Sequence, residues 1–276
     1  MTSFVLKLIA ILAMLADHIA KVFGQEFTGI FFPDSLEASY NMMQIMEIMG
    51  RLTFPLMAFF IAEGCRKTSN ITKYIMRLLG FAFLSQIPYT LALYATNGLG
   101  SENPHAQFGT HITFFDIGSP NVLFTLAFGA LAIFLYEKLR HKPVSFVFAA
   151  LIIAAAGLLK FEYSFFGVLL IFVAYALPAR KTQILGMAIV LSVLYLGYGG
   201  GLQNALNMFD APRPLAENIF HAIISGVGQW FGALASLLLL YFYNGERGKK
   251  AKYSFYIFYP AHLLVLAVIR EMIRYF

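Results

Sequence analysis

The chain has 276 residues, of which 59% are hydrophobic and only 12% are charged, and its formal net charge is +6. A soluble domain carries about 25% charged residues, so this chain has too few to cover a water-soluble globule of its size. Its basic residues stand in short clusters between apolar runs, which is typical of membrane orientation signals and argues against a nucleic-acid-binding face. The single cysteine, Cys65, excludes an internal disulfide framework and a cysteine-based metal cluster.

Nine apolar runs predict transmembrane helices, since a membrane span needs about 20 mostly apolar residues. The first run contains Lys7, Asp17 and His18 and lacks a small-residue cleavage site, so we expect it to be retained rather than removed as a signal peptide. The sixth and seventh runs are the shortest. The predicted spans are residues 4–23, 42–65, 74–96, 121–138, 144–160, 164–178, 183–200, 219–243 and 253–274.

Lysine and arginine alternate between successive connections of these spans. The second, fourth, sixth and eighth connections are basic, whereas the first and third are acidic. The positive-inside rule therefore predicts a cytoplasmic amino terminus and an external carboxyl terminus. The connections 24–41, 97–120 and 201–218 would then lie outside, where they could cap an outward-facing site. The sequence thus predicts an all-α, polytopic transmembrane helical bundle of about nine helices, with residues 1–276 as one domain.

Lys7 and His18 are the first candidate functional pair. Each ionisable side chain inside a span costs about 2.5–3.5 kcal/mol and needs a reason to be there. The two residues are eleven positions apart, which in an α-helix places them on one face, about 16 Å apart along the axis. Lys7 alone also fits a snorkelling anchor. His18 fits an acid–base role better, because imidazole exchanges protons near neutral pH and the neighbouring Asp17 could orient it and stabilise its charged form.

The second span contains a candidate polar pocket. Glu47 and Arg51 have i,i+4 spacing with the acid first, the favourable order for an intrahelical ion pair. Pro55 cannot donate a hydrogen bond to the carbonyl of Arg51, so we expect a kink there. Two interpretations stay open, a structural ion pair and a ligand-binding pocket.

Basic and aromatic residues also collect near the predicted inner surface. Lys73 and Arg77 stand one helical turn apart there, where they either mark orientation or bind an anion. Tyr259 and His262 lie near the beginning of the last span. Together with Lys7, these residues could hold the anionic head of a ligand from the inner side.

Motifs spread from the first span to the last resemble the TraX family. They are LKLIAILAMLADHIAKVF, GRLTFPLMAFFIAEGCRKT, YIMRLLGFAFLSQIPY, NVLFTLAFG, YSFFGVLL and YSFYIFYPAHLLVL. Each motif alone is weak, but DH, GRxxFP, AEG, SQIP and FYPAH in this order are specific. The resemblance covers nearly the whole chain and implies a bacterial inner-membrane protein associated with acetylation of the amino terminus of pilin.

The chain is also similar, more distantly, to transmembrane acyltransferases such as the acyltransferase-3 proteins and heparan-glucosaminide N-acetyltransferase. Lys7 and His18 match the spacing of a basic residue and a histidine in acyltransferase-3 proteins, and residues 50–64 and 73–77 resemble their second helix and the start of their third. This resemblance implies acetyl-CoA as the donor and a membrane-embedded histidine as the catalytic residue.

Residue pattern and resemblance together predict one mechanism. His18, supported by Asp17, acts as general base or first takes the acetyl group itself. The acceptor is an external amine or hydroxyl, either at a pilin-like amino terminus or on a glycan. No metal is expected. The predicted cofactor-binding residues are Lys7, Arg51, Lys73, Arg77, Tyr259 and His262, and the predicted substrate-binding residues are Glu47 and Gln86. Arg51, Gln86 or a freed backbone amide would stabilise the oxyanion.

Two other functions fit parts of the pattern. A secondary transporter of a small polar solute also uses broken helices and intramembrane charges, but it predicts matching polar segments in two halves of the chain. Here the polar residues concentrate in the first three spans. A membrane scaffold cross-linked by polar side chains would leave the face with Lys7 and His18 without a purpose. An acyltransferase is the favoured prediction.

Overall fold

A computed structural model of the chain describes residues 1–24, 35–93, 120–139, 141–209, 214–249 and 252–275. Within these ranges the regular structure is helical and contains no β-strand, which confirms the all-α prediction. The helices are α1 (Ser3–Val22), α2 (Leu36–Gly50), α3 (Thr53–Lys67), α4 (Ile71–Leu93), α5 (Val122–Lys138), α6 (Lys142–Leu158), α7 (Ser164–Ala176), α8 (Arg180–Ser192), α9 (Gly201–Phe209), α10 (Leu215–His221), α11 (Gly228–Tyr241) and α12 (Lys252–Tyr275). π-Helical turns continue α8 over Val193–Tyr198 and link α10 to α11 over Ala222–Val227.

Five helical segments in the described ranges are long and apolar enough to cross a membrane. They are α1, α2 together with α3, α4, α8 with its π-helical turn, and residues Tyr253–Ile273 of α12. Helices α10 and α11 would form a sixth span as a pair bent by 56°. Helices α6 and α7 are apolar but have only 17 and 13 residues. These segments support a multi-pass membrane protein, while nine spans and their orientation stay predictions.

The segment Leu36–Lys67, which comprises α2 and α3, is the longest candidate span. Its 32 residues correspond to about 48 Å of helix, more than the roughly 30 Å of a bilayer's hydrocarbon core. Part of it must therefore extend beyond the hydrocarbon or tilt strongly. The sequence predicted this span to begin at residue 42, whereas α2 begins at Leu36.

The structure also changes the interpretation of the predicted connections. Residues 201–218 were expected to form a loop, but α9 and the start of α10 occupy most of the part that the structure describes. The run GLQNALNMF of α9 is too short for a span and alternates apolar with amide side chains. Its apolar residues stand at helical spacing, which explains why it folds as a short helix. Residues 25–34 and 94–119 of the other two long connections lie outside the described ranges.

The described helices fall into two compact units. Unit 1 comprises Met1–Gly64 and Leu169–Lys250, and unit 2 comprises Cys65–Val168 and Ala251–Phe276. In unit 1, α1 packs against α2, and α11 packs against α2 and α8. In unit 2, α4 packs against α5 and α12, and α5 packs against α6. The assignment of the whole chain to one domain stays a prediction.

In unit 2, a pair of buried amide side chains joins the start of α5 to α4. Asn121 is fully buried, and its Nδ2 donates to the carbonyl of Ala82 at 2.8 Å and to Oε1 of Gln86 at 2.8 Å. Its Oδ1 accepts from the backbone N–H of Leu123 at 3.0 Å and so caps α5. A buried polar side chain must be hydrogen-bonded to be tolerated, and this one links the end of one helix to the side of another.

A buried arginine closes the carboxyl end of α4. Arg270 on α12 is only 1% exposed. Its guanidinium donates to the carbonyls of Ala92 at 2.7 Å and Leu91 at 3.0 Å, and to Glu271 at 2.8 Å. The last carbonyls of a helix have no partner within that helix, and a cation beside them also opposes the negative end of its dipole. Arg270 is thus a structural residue that sequence analysis did not single out.

Replacing Asn121 with alanine should lower the free energy of unfolding by about 1–3 kcal/mol, because the carbonyl of Ala82 and Oε1 of Gln86 each lose a buried hydrogen bond from the Asn121 side chain. Unfolding in mixed detergent micelles by increasing sodium dodecyl sulfate measures the change. Asn204→Ala is the matched control, since Asn204 is exposed on α9 and is expected to change stability by at most about 0.5 kcal/mol. Equal stabilities of the two variants would contradict a structural role for Asn121.

Candidate functional site

The interruption between α2 and α3 positions the first part of the site. Helix α2 ends at Gly50, and Arg51 closes it with its backbone N–H directed to the carbonyls of Glu47 and Ile48 at 3.2 Å. Pro55 lies in the first turn of α3 and has no N–H to donate to the carbonyl of Arg51. The helical pattern resumes at Thr53, so the structure shows an interruption where the sequence predicted a kink.

Asp17 lies between two cations at this interruption. Its Oδ1 accepts from Nη2 of Arg51 at 3.1 Å, and its Oδ2 accepts from Nζ of Lys21 at 2.7 Å. The aspartate is only 8% exposed. Lys21 comes one turn later on α1, whereas Arg51 comes from the neighbouring helix. Each carboxylate oxygen thus has its own charged donor, the arrangement that a buried carboxylate requires.

Two glycines allow the backbones to approach around this ion cluster. A Cβ atom at Gly50 would overlap the Cβ of Asp17, so only glycine allows α2 to lie this close to α1. A Cβ atom at Gly232 on α11 would overlap the carbonyl oxygen of Ile48 and lie 3.2 Å from Cβ of Arg51. Thr53 adds a hydrogen bond from its hydroxyl to the carbonyl of Ala10 at 2.8 Å. Helices α1, α2 and α11 are therefore in close contact where Arg51 sits.

His18 is buried directly beside this cluster. It is 6% exposed, and its Nε2 lies 4.0 Å from Oδ2 of Asp17. Lys21 contacts the same oxygen at a much shorter distance. The sequence predicted that Asp17 and His18 would act together, and the structure brings the carboxylate and the imidazole into the same buried environment. A buried imidazole close to charged groups has the chemical means for proton transfer.

The structure corrects the expected pairing of Glu47 and Arg51. The guanidinium does not reach the Glu47 carboxylate. Its Nε donates to the main-chain carbonyl of Glu47 at 3.3 Å, and its Nη2 binds Asp17. The predicted pair within one helix is replaced by a pair that joins two helices. The reason is the close approach of α1 at Gly50, which places the Asp17 carboxylate within reach of Arg51.

Lys7 lies near the other end of α1 from His18. Its Nζ lies 4.9 Å above the ring centroid of Phe60 on α3. Phe60 belongs to an aromatic trio with Phe59 and Tyr243, with ring centroids 5.6–6.0 Å apart. Half-buried Lys7 is therefore held by a cation–π contact, which also fits the anchoring role that the sequence left open.

Arg180 contacts the other two rings of that aromatic trio. Its guanidinium lies 4.7 Å from the ring of Phe59 and 4.9 Å from that of Tyr243, and it donates to the carbonyl of Leu240 at 3.2 Å. The hydroxyl of Tyr243 donates to the Glu63 carboxylate at 2.9 Å. These contacts tie α3, α8 and the end of α11 together. In the sequence, Arg180 belongs to the basic sixth connection, which indicated only the orientation of the chain.

The remaining predicted binding residues belong to unit 2. Lys73 is exposed, and Arg77 lies 5.8 Å from the ring of Tyr253. His262 is buried, and its ring stacks on Phe258 with a centroid distance of 4.6 Å. Its Nδ1 lies 2.8 Å from the carbonyl of Phe258, which can only accept, so Nδ1 carries the proton. Buried Tyr259 packs edge-to-face against the His262 ring.

Gln86, also in unit 2, was predicted to contact the substrate. Its Oε1 accepts two hydrogen bonds from Asn121, through the backbone N–H at 3.0 Å and through Nδ2. Its Nε2 reaches the hydroxyl of Thr90 at 3.5 Å. Gln86 therefore joins α4 to α5. Its predicted contact with the substrate stays a prediction.

Sequence analysis missed Lys21, although a usable signal was present. Lys21 follows Asp17 by four positions with the acid first, the same favourable order that drew attention to Glu47 and Arg51. The residue stands at the end of the predicted span, where a lysine is usually only an interfacial anchor. The identity of its partner follows from the structure.

Replacing Gly50 with alanine should lower the free energy of unfolding by about 1–3 kcal/mol, because the added methyl group forces α1 away from α2 or displaces the Asp17 carboxylate. The matched control is Gly80→Ala on α4, where an added Cβ meets no atom within 4 Å. Denaturation in mixed micelles compares the two variants. A Gly50→Ala protein as stable as the Gly80→Ala protein would contradict the close approach.

Comparison with known proteins identifies the family to which the chain belongs. The sequence profile described as TraX protein matches residues 3–270. The probable fimbrial assembly protein FimC, serogroup H1, of Dichelobacter nodosus is 30% identical over 268 residues, which cover 96% of this chain and 94% of that protein. No solved structure gives a significant match. The match spans both units and confirms the resemblance inferred from the motifs: the chain belongs to the TraX family.

Proposed function

We propose that the protein is a membrane acetyltransferase of pilus assembly, which moves an acetyl group from cytosolic acetyl-CoA to an amine or hydroxyl on the extracytoplasmic side of the bacterial inner membrane. The acceptor is the amino terminus of a pilin-like protein or a glycan. His18 is the catalytic residue. The proposal depends above all on one observation, the burial of His18 beside Asp17 in a cluster held by Lys21 and Arg51.

The family supports the choice of reaction and partner. TraX proteins are associated with acetylation of pilin, and the relative from Dichelobacter nodosus bears the name of a fimbrial assembly protein. The membrane-spanning helices fit an enzyme whose donor and acceptor are on opposite sides of a bilayer. A pilin-like acceptor follows from these two names.

The reaction needs a base inside the membrane, and His18 fits that need. The acceptor nitrogen or oxygen attacks the thioester carbonyl carbon, a new C–N or C–O bond forms, and the C–S bond breaks. His18 accepts the proton from the acceptor and returns it to the departing coenzyme A sulfur. Alternatively, a ring nitrogen takes the acetyl group first and passes it to the acceptor in a second step. Both routes use the same imidazole.

The charged neighbours of His18 supply the rest of the chemistry. As the acceptor attacks, negative charge develops on the carbonyl oxygen of the thioester. A guanidinium has five N–H donors, so Arg51 can hold Asp17 and still donate to that oxygen. Asp17 stabilises positive charge on the imidazole when it carries the proton. Such interactions are stronger where water is excluded.

The donor requires a binding path from the cytoplasmic side. In unit 1, Lys7 lies about 16 Å along α1 from His18, so a phosphate bound at Lys7 leaves a long, thin pantetheine arm able to bring the thioester to the imidazole. In unit 2, Lys73, Arg77, Tyr259 and His262 stay the predicted ligands of coenzyme A. Each set can be tested separately by substitution.

Purified protein in detergent, supplied with [14C]acetyl-CoA and a peptide with a free α-amino group, tests the proposal. His18→Ala should lower release of coenzyme A thiol by about a hundredfold or more, since general base catalysis contributes about 10²–10⁴. Binding of acetyl-CoA should change little. Lys142→Ala, on an exposed residue at the start of α6, is the control and should retain the wild-type rate.

Three results would count against this function. Failure of the wild-type protein to bind acetyl-CoA or another acyl-CoA would remove the donor. Equal rates in His18→Ala and Lys142→Ala would remove the catalytic residue. Uptake of a small polar solute into vesicles containing the protein, without thiol release, would identify a transporter instead.

A further inference from the structure

Arg180 is a half-buried cation of unit 1 that forms no ion pair with a carboxylate of the described residues. Its guanidinium lies 4.7 Å from the ring centroid of Phe59 and 4.9 Å from that of Tyr243, and Nη1 donates to the carbonyl of Leu240 at 3.2 Å. An aromatic ring attracts a cation through its quadrupole but has no net charge. These contacts therefore hold the guanidinium in place without neutralising it.

The ion cluster of Asp17 shows what Arg180 lacks. There, Arg51 and Lys21 contact the carboxylate oxygens at 3.1 and 2.7 Å. Beside Arg180, the Glu63 carboxylate instead accepts from the hydroxyl of Tyr243 at 2.9 Å. A charge removed from water is most stable beside an opposite charge. The surroundings of Arg180 therefore favour an anion that is not part of the described chain.

The geometry of a guanidinium favours a phosphate as that anion. Its five N–H groups form a planar fork that matches two phosphate oxygens, and such bonds between charged groups are the strong ones. The contact with Leu240 uses Nη1, so other N–H groups of the fork stay available for a ligand. Contacts with two rings restrict the orientation of the guanidinium before any ligand binds, which reduces the entropy lost on binding.

The position of Arg180 connects it with the predicted path of the donor. Arg180 begins α8, after a basic connection that the sequence places on the inner side. Nζ of Lys7, a predicted ligand of coenzyme A, lies 4.9 Å from the ring centroid of Phe60 in the same aromatic trio. One aromatic cluster thus positions two cations at the same end of unit 1. Coenzyme A has a diphosphate and a ribose 3′-phosphate, so a single molecule can supply an anion to each.

We propose that Arg180 binds a phosphate group of acetyl-CoA, in one site with Lys7. The inference rests on the proposed function and adds to it a binding residue that the sequence did not indicate. An anionic phospholipid offers the same chemistry, because its headgroup contains a phosphate and faces the same side of the membrane. The experiment therefore has one arm for the cofactor and one for the lipid.

Three variants separate the guanidinium from its surroundings. Arg180→Gln removes the charge and keeps an N–H donor for the carbonyl of Leu240. Arg180→Lys keeps the charge and loses the planar fork, and it provides a second measurement if the glutamine variant folds poorly. Lys181→Gln removes the charge of the next residue, which is exposed, and is the matched control.

Equilibrium binding of [14C]acetyl-CoA to the purified protein in detergent measures the contact without turnover. Arg180→Gln should raise the Kd for acetyl-CoA by about ten- to a hundredfold, the scale of lost hydrogen bonds to a charged group. Arg180→Lys should raise it less, and Lys181→Gln should bind like the wild type. Acetyl-pantetheine carries the thioester but no phosphate, so Arg180→Gln and the wild type should acetylate the peptide with it at equal rates. That equality also shows that the variant is folded.

Native mass spectrometry of protein from nanodiscs of phosphatidylglycerol and phosphatidylcholine provides the lipid arm. The inference expects the wild type and Arg180→Gln to retain the same amount of phosphatidylglycerol. Loss of phosphatidylglycerol from Arg180→Gln, with acetyl-CoA binding unchanged, would overturn the assignment and identify a lipid site instead.

Two further results would overturn the inference and leave the proposed function intact. One is a Kd for acetyl-CoA within about twofold of the wild type in both Arg180 variants. The other is an equal loss of activity with acetyl-CoA and acetyl-pantetheine, since that loss cannot come from a phosphate contact. A wild-type protein that binds acetyl-CoA through Arg180 but transfers no acetyl group would support the site and refute the proposed function.

Discussion

A carboxylate buried among membrane helices must be paired, and Asp17 is paired from two directions, by Lys21 within its own helix and by Arg51 from the next. Leaving one such charge without its partner costs about 3–5 kcal/mol, so the pairing constrains everything around it. Gly50 must be a glycine to bring α2 close enough. That approach places the Asp17 carboxylate within reach of the Arg51 guanidinium.

The paired carboxylate also affects the surroundings of His18. The carboxylate that these cations neutralise also lies beside the buried imidazole of His18. In a region of low dielectric, a base, a carboxylate and cationic donors influence one another more strongly than they would in water. The pairing that makes Asp17 tolerable among apolar helices is thus also part of the environment in which we propose that His18 transfers protons.

Elsewhere in the described residues, three polar side chains bind backbone groups near helix ends. Arg270 binds the last carbonyls of α4, and Asn121 caps α5 while it holds Gln86. Arg180 contacts two aromatic rings and donates to the carbonyl of Leu240 near the end of α11. These contacts follow one rule, that a helix terminus away from water needs donors or acceptors from neighbouring segments. These polar residues therefore have structural partners in the backbone, whereas Asp17 beside His18 is paired with charged side chains.

Sequence alone determined the helical class, the positions of the apolar segments, the interruption at Arg51 and the presence of Lys7 and His18 in one helix. These properties depend on composition, on periodicity and on the missing N–H of Pro55, all of which are local. Only the tertiary structure decided that Arg51 pairs with Asp17 rather than with Glu47, and that Gln86 is bound by Asn121. An ion pair or hydrogen bond between helices depends on which helices touch and at what height, and spacing within one helix does not contain that information.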